Sequence, residues 1–202
     1  MQFLVISGSR NREGQTARAI HSICKGADNG GAVIEVIFLP ELKLERCRQC
    51  DPDGNGLCTR EGYCIIQDDF PDILEKMKAA DLIVFASPVY FHDLTESMKS
   101  FLDRYRRVRF HRVIARGGLR APSGGSGTPV AVYCYAGGMS GDGGVSCAAN
   151  MNGILQMCGF DVVDIFLARR QNLEMKMPML EKTGEWLATK PTSGPLLIPS
   201  SG

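Results

Sequence analysis

The feature that most constrains this fold is a regular alternation of buried strands with amphipathic helices. Apolar runs at residues 3–6, 33–39, 82–86, 130–135 and 160–167 predict five strands. Helical spacing of apolar residues predicts helices near 16–27, 70–77, 94–105 and 144–157. Such alternation is typical of a parallel sheet with right-handed crossovers. We therefore predict an α/β fold with a doubly wound, five-stranded parallel sheet and helices on both faces.

The predicted strands and helices define one domain over residues 1–167. A chain of 202 residues with 44% hydrophobic residues is sufficient for one packed core. Within it we expect a long ordered cysteine loop at 44–67 and a basic, glycine-rich loop at 106–128, followed by a partly ordered C-terminal tail at 168–202. The balance of 23 Lys and Arg against 22 Asp and Glu argues against a general nucleic-acid binder. No apolar run approaches the ~20 residues of a membrane-spanning helix.

A polar loop at residues 8–16 joins the first strand to the first helix, where doubly wound folds bind phosphate. Backbone N–H groups at a helix N-terminus and the hydroxyls of Ser9 and Thr16 suit an anion. The loop is not a Walker A motif, because Gln15 stands where that motif has Lys. It is not a dinucleotide fingerprint either, because Arg10 replaces the middle glycine. A simple polar turn is the alternative interpretation.

Three motifs together resemble the NADPH-dependent FMN reductase family, and within it the iron–sulfur flavoproteins. They are Gly8-Ser9-Arg10-x-x-x-Gly14-x-Thr16, the cysteine loop ending in Asp68-Asp69, and Ser87-Pro88-Val89-Tyr90-Phe91 followed by Met98-Lys99-x-Phe101-Leu102-Asp103-Arg104. The match runs in order from about residue 2 to residue 167. It implies a flavodoxin-like fold, which agrees with the five predicted strands.

The resemblance implies an FMN site built from three loops. The phosphate would be held by Ser9, Arg10, Asn11, Gly14, Gln15 and Thr16, and the isoalloxazine ring by Pro88, Val89, Tyr90 and Phe91. A glycine-rich loop beginning with Tyr135, Ala136, Gly137 and Gly138 would lie beside the pyrimidine edge. From the residues alone, the two aromatics equally fit a cap on the core, and the glycine-rich loop a flexible surface loop. All three loops follow carboxyl ends of predicted strands, where open α/β sheets bind ligands.

Four of the eight cysteines are clustered, with the spacing Cys47-x2-Cys50-x7-Cys58-x5-Cys64. Because no export signal is recognisable, we expect a reducing, cytoplasmic setting in which clustered thiols act as metal or redox ligands. Iron–sulfur flavoproteins have a compact C-x2-C-x2-C run, so the longer second gap resembles an insertion. A [4Fe–4S] cluster, structural zinc and free thiols all remain open. The other cysteines, 24, 134, 147 and 158, are interpreted as small buried apolar residues.

The resemblance implies an FMN-dependent oxidoreductase that takes electrons from NAD(P)H and passes them to a small acceptor such as a flavin or quinone. The cofactor performs the redox step, so no side chain is predicted to be catalytic. The alternative is an electron-transfer protein with FMN and a cluster on the four clustered cysteines. Expected partners are a small-molecule donor and acceptor, a ferredoxin-like protein, and further copies in a homodimer or homotetramer. The arginines of 104–120 suit a solvated face, the 2′-phosphate of NADPH or a protein interface.

Overall fold

The computed structural model describes residues 1–52, 56–115, 128–138 and 143–191, and for 110–115 it describes the backbone alone. The strands are β1 (Gln2–Ser7), β2 (Val33–Phe38), β3 (Leu82–Pro88), β4 (Pro129–Ala136) and β5 (Asp161–Arg169). The helices are α1 (Gln15–Asn29), α2 (Leu57–Arg60), α3 (Phe70–Ala79), α4 (Glu96–Ala115), α5 (Gly143–Met157) and α6 (Leu173–Leu187). A single turn of 3-10 helix, Leu39–Glu41, follows β2.

The strands form one parallel sheet in the order β2-β1-β3-β4-β5, which confirms the predicted doubly wound, flavodoxin-like fold. In this order the chain reverses its direction of travel between β1 and β3. Ser7 lies beside Ala86, and Pro88 lies beside Tyr135, so the carboxyl ends of β1, β3 and β4 are adjacent. The crevice outside such a reversal is where open α/β sheets bind ligands.

Helices cover both faces of the sheet because the central strands are buried on both sides. Every residue of β3 is buried, and its side chains alternate between two apolar clusters. One cluster packs the sheet against α3, α4 and α5, and the other packs it against α1 and α6. Each fully buried large apolar side chain contributes about 1.5–3 kcal/mol to this packing. Within the described ranges, no helix combines the length and apolarity needed to cross a membrane.

The segment expected to be a C-terminal tail instead contributes a strand end and a helix. Strand β5 continues to Arg169, and α6 then packs along α1. The alternating methionines at 175–179 concealed the helical pattern, which lies in Leu173, Leu180 and Leu187. Each of these leucines lies about two helical turns after the previous one, so all three are on one side of the helix and form one buried stripe. The expected tail beyond residue 191 lies outside the described residues.

The basic segment also differs from the expectation of a loop that begins at residue 106. Helix α4 extends through Arg106, Arg107 and Arg109 to Ala115, because arginine favours helix and glycine first appears at Gly117. Arg109 is anchored there, since its Nε donates to the Cys158 carbonyl oxygen at 3.1 Å. The remainder of the predicted basic loop, residues 116–127, lies outside the described residues.

Helices α1 and α6 approach so closely that their crossing requires glycine on both. A Cβ on Gly26 would overlap the carbonyl oxygen of Glu181, and a Cβ on Gly184 would overlap that of Ile23. The clashing atoms belong to the backbone, so they cannot move without separating the helices. This contact fixes α1, and with it the loop that precedes α1.

We predict that Gly26→Ala or Gly184→Ala lowers the free energy of unfolding by about 1–3 kcal/mol, the range for overpacking a tight contact. Gly153→Ala on α5 is the matched control, because a methyl group added at Gly153 would have no atom within 4 Å. Alanine favours helix over glycine, so the control should be neutral or slightly stabilising. Urea unfolding monitored by circular dichroism measures all three variants, and equal stability of Gly26→Ala and Gly153→Ala would contradict the packing argument.

Candidate functional site

The loop between β1 and α1 is shaped by its own polar side chains. Ser9 Oγ donates to the Asn11 carbonyl oxygen at 3.1 Å and accepts from the Asn11 N–H at 3.3 Å. Asn11 Oδ1 accepts from the Glu13 N–H at 2.8 Å, and the Gly14 N–H donates to the Asn11 carbonyl oxygen at 3.2 Å. These bonds hold a compact turn directly outside the end of β1. Ser9 therefore orders the loop, in addition to its predicted role as a phosphate ligand.

Helix α1 presents an N-terminus suited to an anion. Gly14 is its N-cap, no side chain caps the helix, and its first turn contains no acidic residue. The uncapped N–H groups and the helix dipole both favour negative charge at this point. Thr16 is 3% exposed, and Gln15 begins the helix beside it. The structure thus brings together the six residues predicted to hold phosphate, around one helix N-terminus.

The two arginines of this loop have different surroundings. Arg10 is exposed and forms a 3.4 Å ion pair with Glu96 at the start of α4. Arg12 pairs with Glu41 and lies over the Phe38 ring, with 4.8 Å between its guanidinium carbon and the ring centroid. The Glu41 carboxylate raises the pKa of Arg12 through their hydrogen bond, so Arg12 remains charged. An exposed pair such as that of Arg10 contributes about 0–1 kcal/mol, so Arg10 is free to bind an anion instead.

The loop after β3 forms a tight turn that exposes an aromatic ring. Tyr90 and Asp93 exchange two backbone hydrogen bonds of 3.0 Å. The intervening Phe91 and His92 have φ values of 48° and 68°, in the left-handed region. Each such non-glycine residue costs on the order of 1–3 kcal/mol, a strain typical of functional turns. Phe91 is fully exposed and Tyr90 is half exposed, so neither ring caps the core.

Hydrogen bonds and close packing join the three loops to one another. The Val89 N–H donates to the Tyr135 carbonyl oxygen at 2.8 Å, which connects the ends of β3 and β4. Ser97 Oγ donates to the Gly8 carbonyl oxygen at 3.4 Å, which connects α4 to the end of β1. A Cβ on Gly8 would overlap Thr95 Oγ1 and lie 3.1 Å from Met98 Cβ. These contacts join the three loops to one another through the strand ends and the start of α4.

The glycine-rich loop after β4 is described only at its two ends. Tyr135 and Ala136 end the strand in buried positions, and Gly137 and Gly138 continue outward from them. Residues 139–142, which the sequence also assigns to this loop, lie outside the described residues. Helix α5 begins at Gly143, where an added Cβ would lie 3.3 Å from Val89 Cγ1. Gly143 therefore lies beside the loop that follows β3.

The cysteine loop is closed at its base by a buried ion pair. Arg104 of α4 is 2% exposed and donates through Nη2 to Asp68 Oδ1 at 2.9 Å and through Nη1 to the Glu45 carbonyl oxygen at 3.0 Å. Asp68 in turn accepts from the N–H groups of Glu45 and Phe70, at 2.8 and 3.2 Å. The start and the end of the loop are thus bound to one guanidinium. Burial raises the pKa of Asp68, but these hydrogen bonds outweigh it and hold that pKa below its ordinary value.

The four clustered cysteines line one cavity of about 90 Å³, together with Arg104 and Arg107. Cys47 and Cys50 are exposed, Cys58 and Cys64 are half-buried, and all four are free thiols. Within the described part of the chain, no three metal-binding side chains lie close enough together to hold a metal ion. The donor set and the shared cavity fit a thiophilic metal group, but the sulfur atoms must converge further to bind one.

Sequence reasoning missed two parts of this region. It placed Arg104 in a basic stretch, although Asp68 and Arg104 both lie in the motifs that support the resemblance. The buried pair joins residues far apart in the chain, so no local pattern reveals it. Thr95 and Ser97 were also missed as links between loops. Their position at the start of α4, directly after the β3 loop, was the available signal.

The fold and the joined loops define a class: a flavodoxin-like protein with a helix N-terminus suited to an anion at the switch point of its sheet. The family model described as NADPH-dependent FMN reductase matches residues 1–171. The chain belongs to the NADPH-dependent FMN reductase family. This confirms the resemblance found in the sequence and supports FMN and NAD(P)H as cofactor and reductant.

Known proteins similar to this chain agree with that family. An iron–sulfur flavoprotein from Methanocaldococcus jannaschii is 37% identical over 109 residues, which cover 54% of each chain. A flavone reductase structure has a TM-score of 0.67 at 22% identity, covering 94% of this chain and 62% of that one. An NAD(P)H:quinone oxidoreductase from Methanothermobacter marburgensis has a TM-score of 0.68 at 17% identity, covering 93% and 96%. The chain spans about half the length of the curated relatives it matches.

We predict that Gly8→Ala weakens FMN binding at least tenfold, about 1.4 kcal/mol. The added methyl would displace Thr95 and separate the β1 loop from α4, which holds the β3 loop in place. Gly153→Ala, distant from these loops, should leave the affinity unchanged. Fluorescence titration of FMN into flavin-free protein measures both, and an unchanged affinity for Gly8→Ala would show that the loops do not depend on this contact.

Proposed function

We propose that this protein is an FMN-dependent oxidoreductase that takes electrons from NAD(P)H and passes them to a small acceptor such as a flavin or quinone. The observation that supports it most is the joining of three loops at the carboxyl ends of β1, β3 and β4, at the switch point of the sheet. Family membership supports the same cofactor and reductant. The enzyme names of the structural neighbours agree with this reaction class.

The β1–α1 loop is proposed to hold the FMN phosphate. Its N–H groups at the start of α1 bind phosphate oxygens, and the helix dipole stabilises their charge. Thr16 supplies a hydroxyl. The hydrogen bonds of Asn11 and Ser9 hold the compact turn in the shape that surrounds the phosphate. Arg10 exchanges its exposed partner Glu96 for the phosphate, which is a stronger, charge-assisted interaction.

The β3 loop is proposed to hold the isoalloxazine ring. Pro88 is buried at the end of its strand and makes the loop rigid, while Val89 is fixed by its bond to Tyr135. The strained turn displays Tyr90 and Phe91 at this edge, where an aromatic face packs against a planar ring. Gly137 and Gly138 allow the backbone to approach the opposite edge of the cofactor.

When bound, the flavin supplies the hydride and electron chemistry, and the protein binds and orients it. The exposed position of Phe91 leaves the outer side of the loop open to a second planar molecule. A nicotinamide donor and a planar acceptor then use the same opening in turn. No side chain of the site is required to move a proton in this scheme.

Purified protein is expected to contain about one FMN per chain and to oxidise NADH or NADPH in the presence of a flavin or quinone. Replacing both Ser9 and Thr16 by alanine should weaken FMN binding by a few kcal/mol, since each lost hydrogen bond to a charged group is worth about 1.5–3 kcal/mol. Absorbance spectra, flavin titration and nicotinamide oxidation rates measure these properties. Protein that neither retains nor takes up FMN would overturn the proposal.

A second candidate function is electron transfer through FMN and a [4Fe–4S] cluster. The observation that favours it is the single cavity shared by Cys47, Cys50, Cys58 and Cys64. Relatives named iron–sulfur flavoproteins point the same way. Four thiolates suit such a cluster, which would add one-electron chemistry beside the flavin. A small-molecule acceptor is then unnecessary, because the cluster delivers electrons to a carrier such as a ferredoxin-like protein.

Anaerobic reconstitution with iron and sulfide distinguishes the two candidates. The electron-transfer function predicts brown protein with about four iron atoms per chain, and loss of that iron in Cys58→Ser. The control Cys24→Ser removes a thiol on α1, on the other face of the sheet, and should retain full iron content. Protein that shows only the flavin spectrum, binds no iron and keeps four reactive thiols in residues 47–64 would leave only the NAD(P)H oxidoreductase.

The proposal also includes a homo-oligomeric assembly and a cytoplasmic location. The expected assembly is a homodimer or homotetramer in which a second copy lies beside the exposed Phe91 and leaves the opening for donor and acceptor free. All eight cysteines are free thiols, which fits a reducing, cytoplasmic compartment. Size-exclusion chromatography with light scattering measures the number of copies directly.

A further inference from the structure

Arg104 has a role beyond closing the cysteine loop. We propose that it is a positioning residue for Cys64, whose sulfur it holds and whose charge it balances when the four cysteines bind an iron–sulfur cluster. The inference rests on the second proposed function. It concerns residues of this chain that lie in the cavity wall, and it assigns a role to the buried pair of Arg104 with Asp68.

The geometry places one guanidinium between a carboxylate and a cysteine sulfur. Nη2 of Arg104 lies 2.9 Å from Asp68 Oδ1 and 3.3 Å from Cys64 Sγ. The planar group is fixed on its other side by the Phe70 ring, at 4.2 Å from its centroid. With the Glu45 carbonyl oxygen as a third polar partner, these contacts leave the Arg104 side chain little freedom. Cys64 is therefore the member of the four whose sulfur already has a fixed polar contact with α4.

Among the described residues, the cavity wall includes three arginines, Arg48, Arg104 and Arg107, and one carboxylate, Asp51. Asp68 pairs with Arg104, and Nη2 of the same guanidinium still contacts Cys64 Sγ. A thiolate-bound cluster is anionic and has sulfur atoms that accept hydrogen bonds. Arg104 is therefore placed to donate to a ligand sulfur at this wall.

A donor to a ligand sulfur stabilises the reduced, more negative form of a cluster more than the oxidised form. Hydrogen bonds to the sulfurs are among the factors that set cluster potentials. Arg104 should therefore raise the reduction potential of the cluster and favour its acceptance of an electron. A purely structural role for the arginine would change stability and leave this potential unchanged.

The test compares reconstituted, FMN-loaded wild type with the double variant Arg104→Gln/Asp68→Asn and with Arg104→Lys. The double variant removes both charges together, because removing one alone leaves an unpaired buried charge. Arg106→Gln is the matched control, since Arg106 lies on the same helix, is exposed and pairs with Asp103. The measurements are iron and sulfide content, the potential of the cluster by spectroelectrochemistry, and FMN content in the same samples.

We expect wild type and Arg106→Gln to load iron and sulfide equally and to share one potential. The double variant should retain FMN and show a more negative cluster potential; if it loses its iron because the loop opens, Arg104→Lys supplies the potential instead. If it does not fold, Arg104→Lys decides, because a compact ammonium cannot contact both Asp68 and Cys64 and should shift the potential in the same direction. Unchanged iron and potential in the folded variants overturn the proposal, as does wild type that loads no iron or only zinc. Loss of FMN from wild type instead contradicts the proposed flavin function.

Discussion

The buried ion pair between Arg104 and Asp68 holds the cysteine loop, the least regular segment described, in place. It binds the two ends of the cysteine loop to helix α4, so that a long segment with little secondary structure leaves and re-enters the core at one place. Removing one partner of such a pair costs about 3–5 kcal/mol, because the other charge remains buried. The same helix begins at Glu96, directly after the loop of β3. The cysteine loop is therefore attached to the middle of the same helix whose start follows the β3 loop.

The local sequence pattern was sufficient to predict the sheet and most helices, because continuous apolar runs and helical spacing are strong signals. It was insufficient to predict segments in which two patterns overlap. The methionines at 175–179 alternate as in a strand, and only the packing on α1 shows that the leucines of α6 form the buried stripe. In the basic segment, arginines gave the appearance of a loop although their intrinsic preference is helical. In both α6 and the basic part of α4, tertiary contacts revealed a helix that the local pattern did not.

The candidate site was likewise predictable in part from the sequence. Its position at the carboxyl ends of β1, β3 and β4 follows from strand order, and the loops that form it were recognisable as motifs. The contacts that make these loops one unit were not recognisable, since Gly8 with Thr95 and Val89 with Tyr135 join distant residues. That the four thiols line one cavity was also visible only in the structure. Their spacing alone, with its long second gap, left both metal binding and free thiols open.

The close contact of α1 and α6 at Gly26 and Gly184 forms late during the synthesis of a new chain. Helix α1 is synthesised well before α6, which packs along it. Contacts of such large sequence separation form slowly and only after the intervening chain exists. Until α6 has been made, the nascent chain therefore exposes part of the apolar surface of α1, and the β1–α1 loop lacks the support of the packed helix. Chains that end before α6 should be substrates for chaperones and proteases.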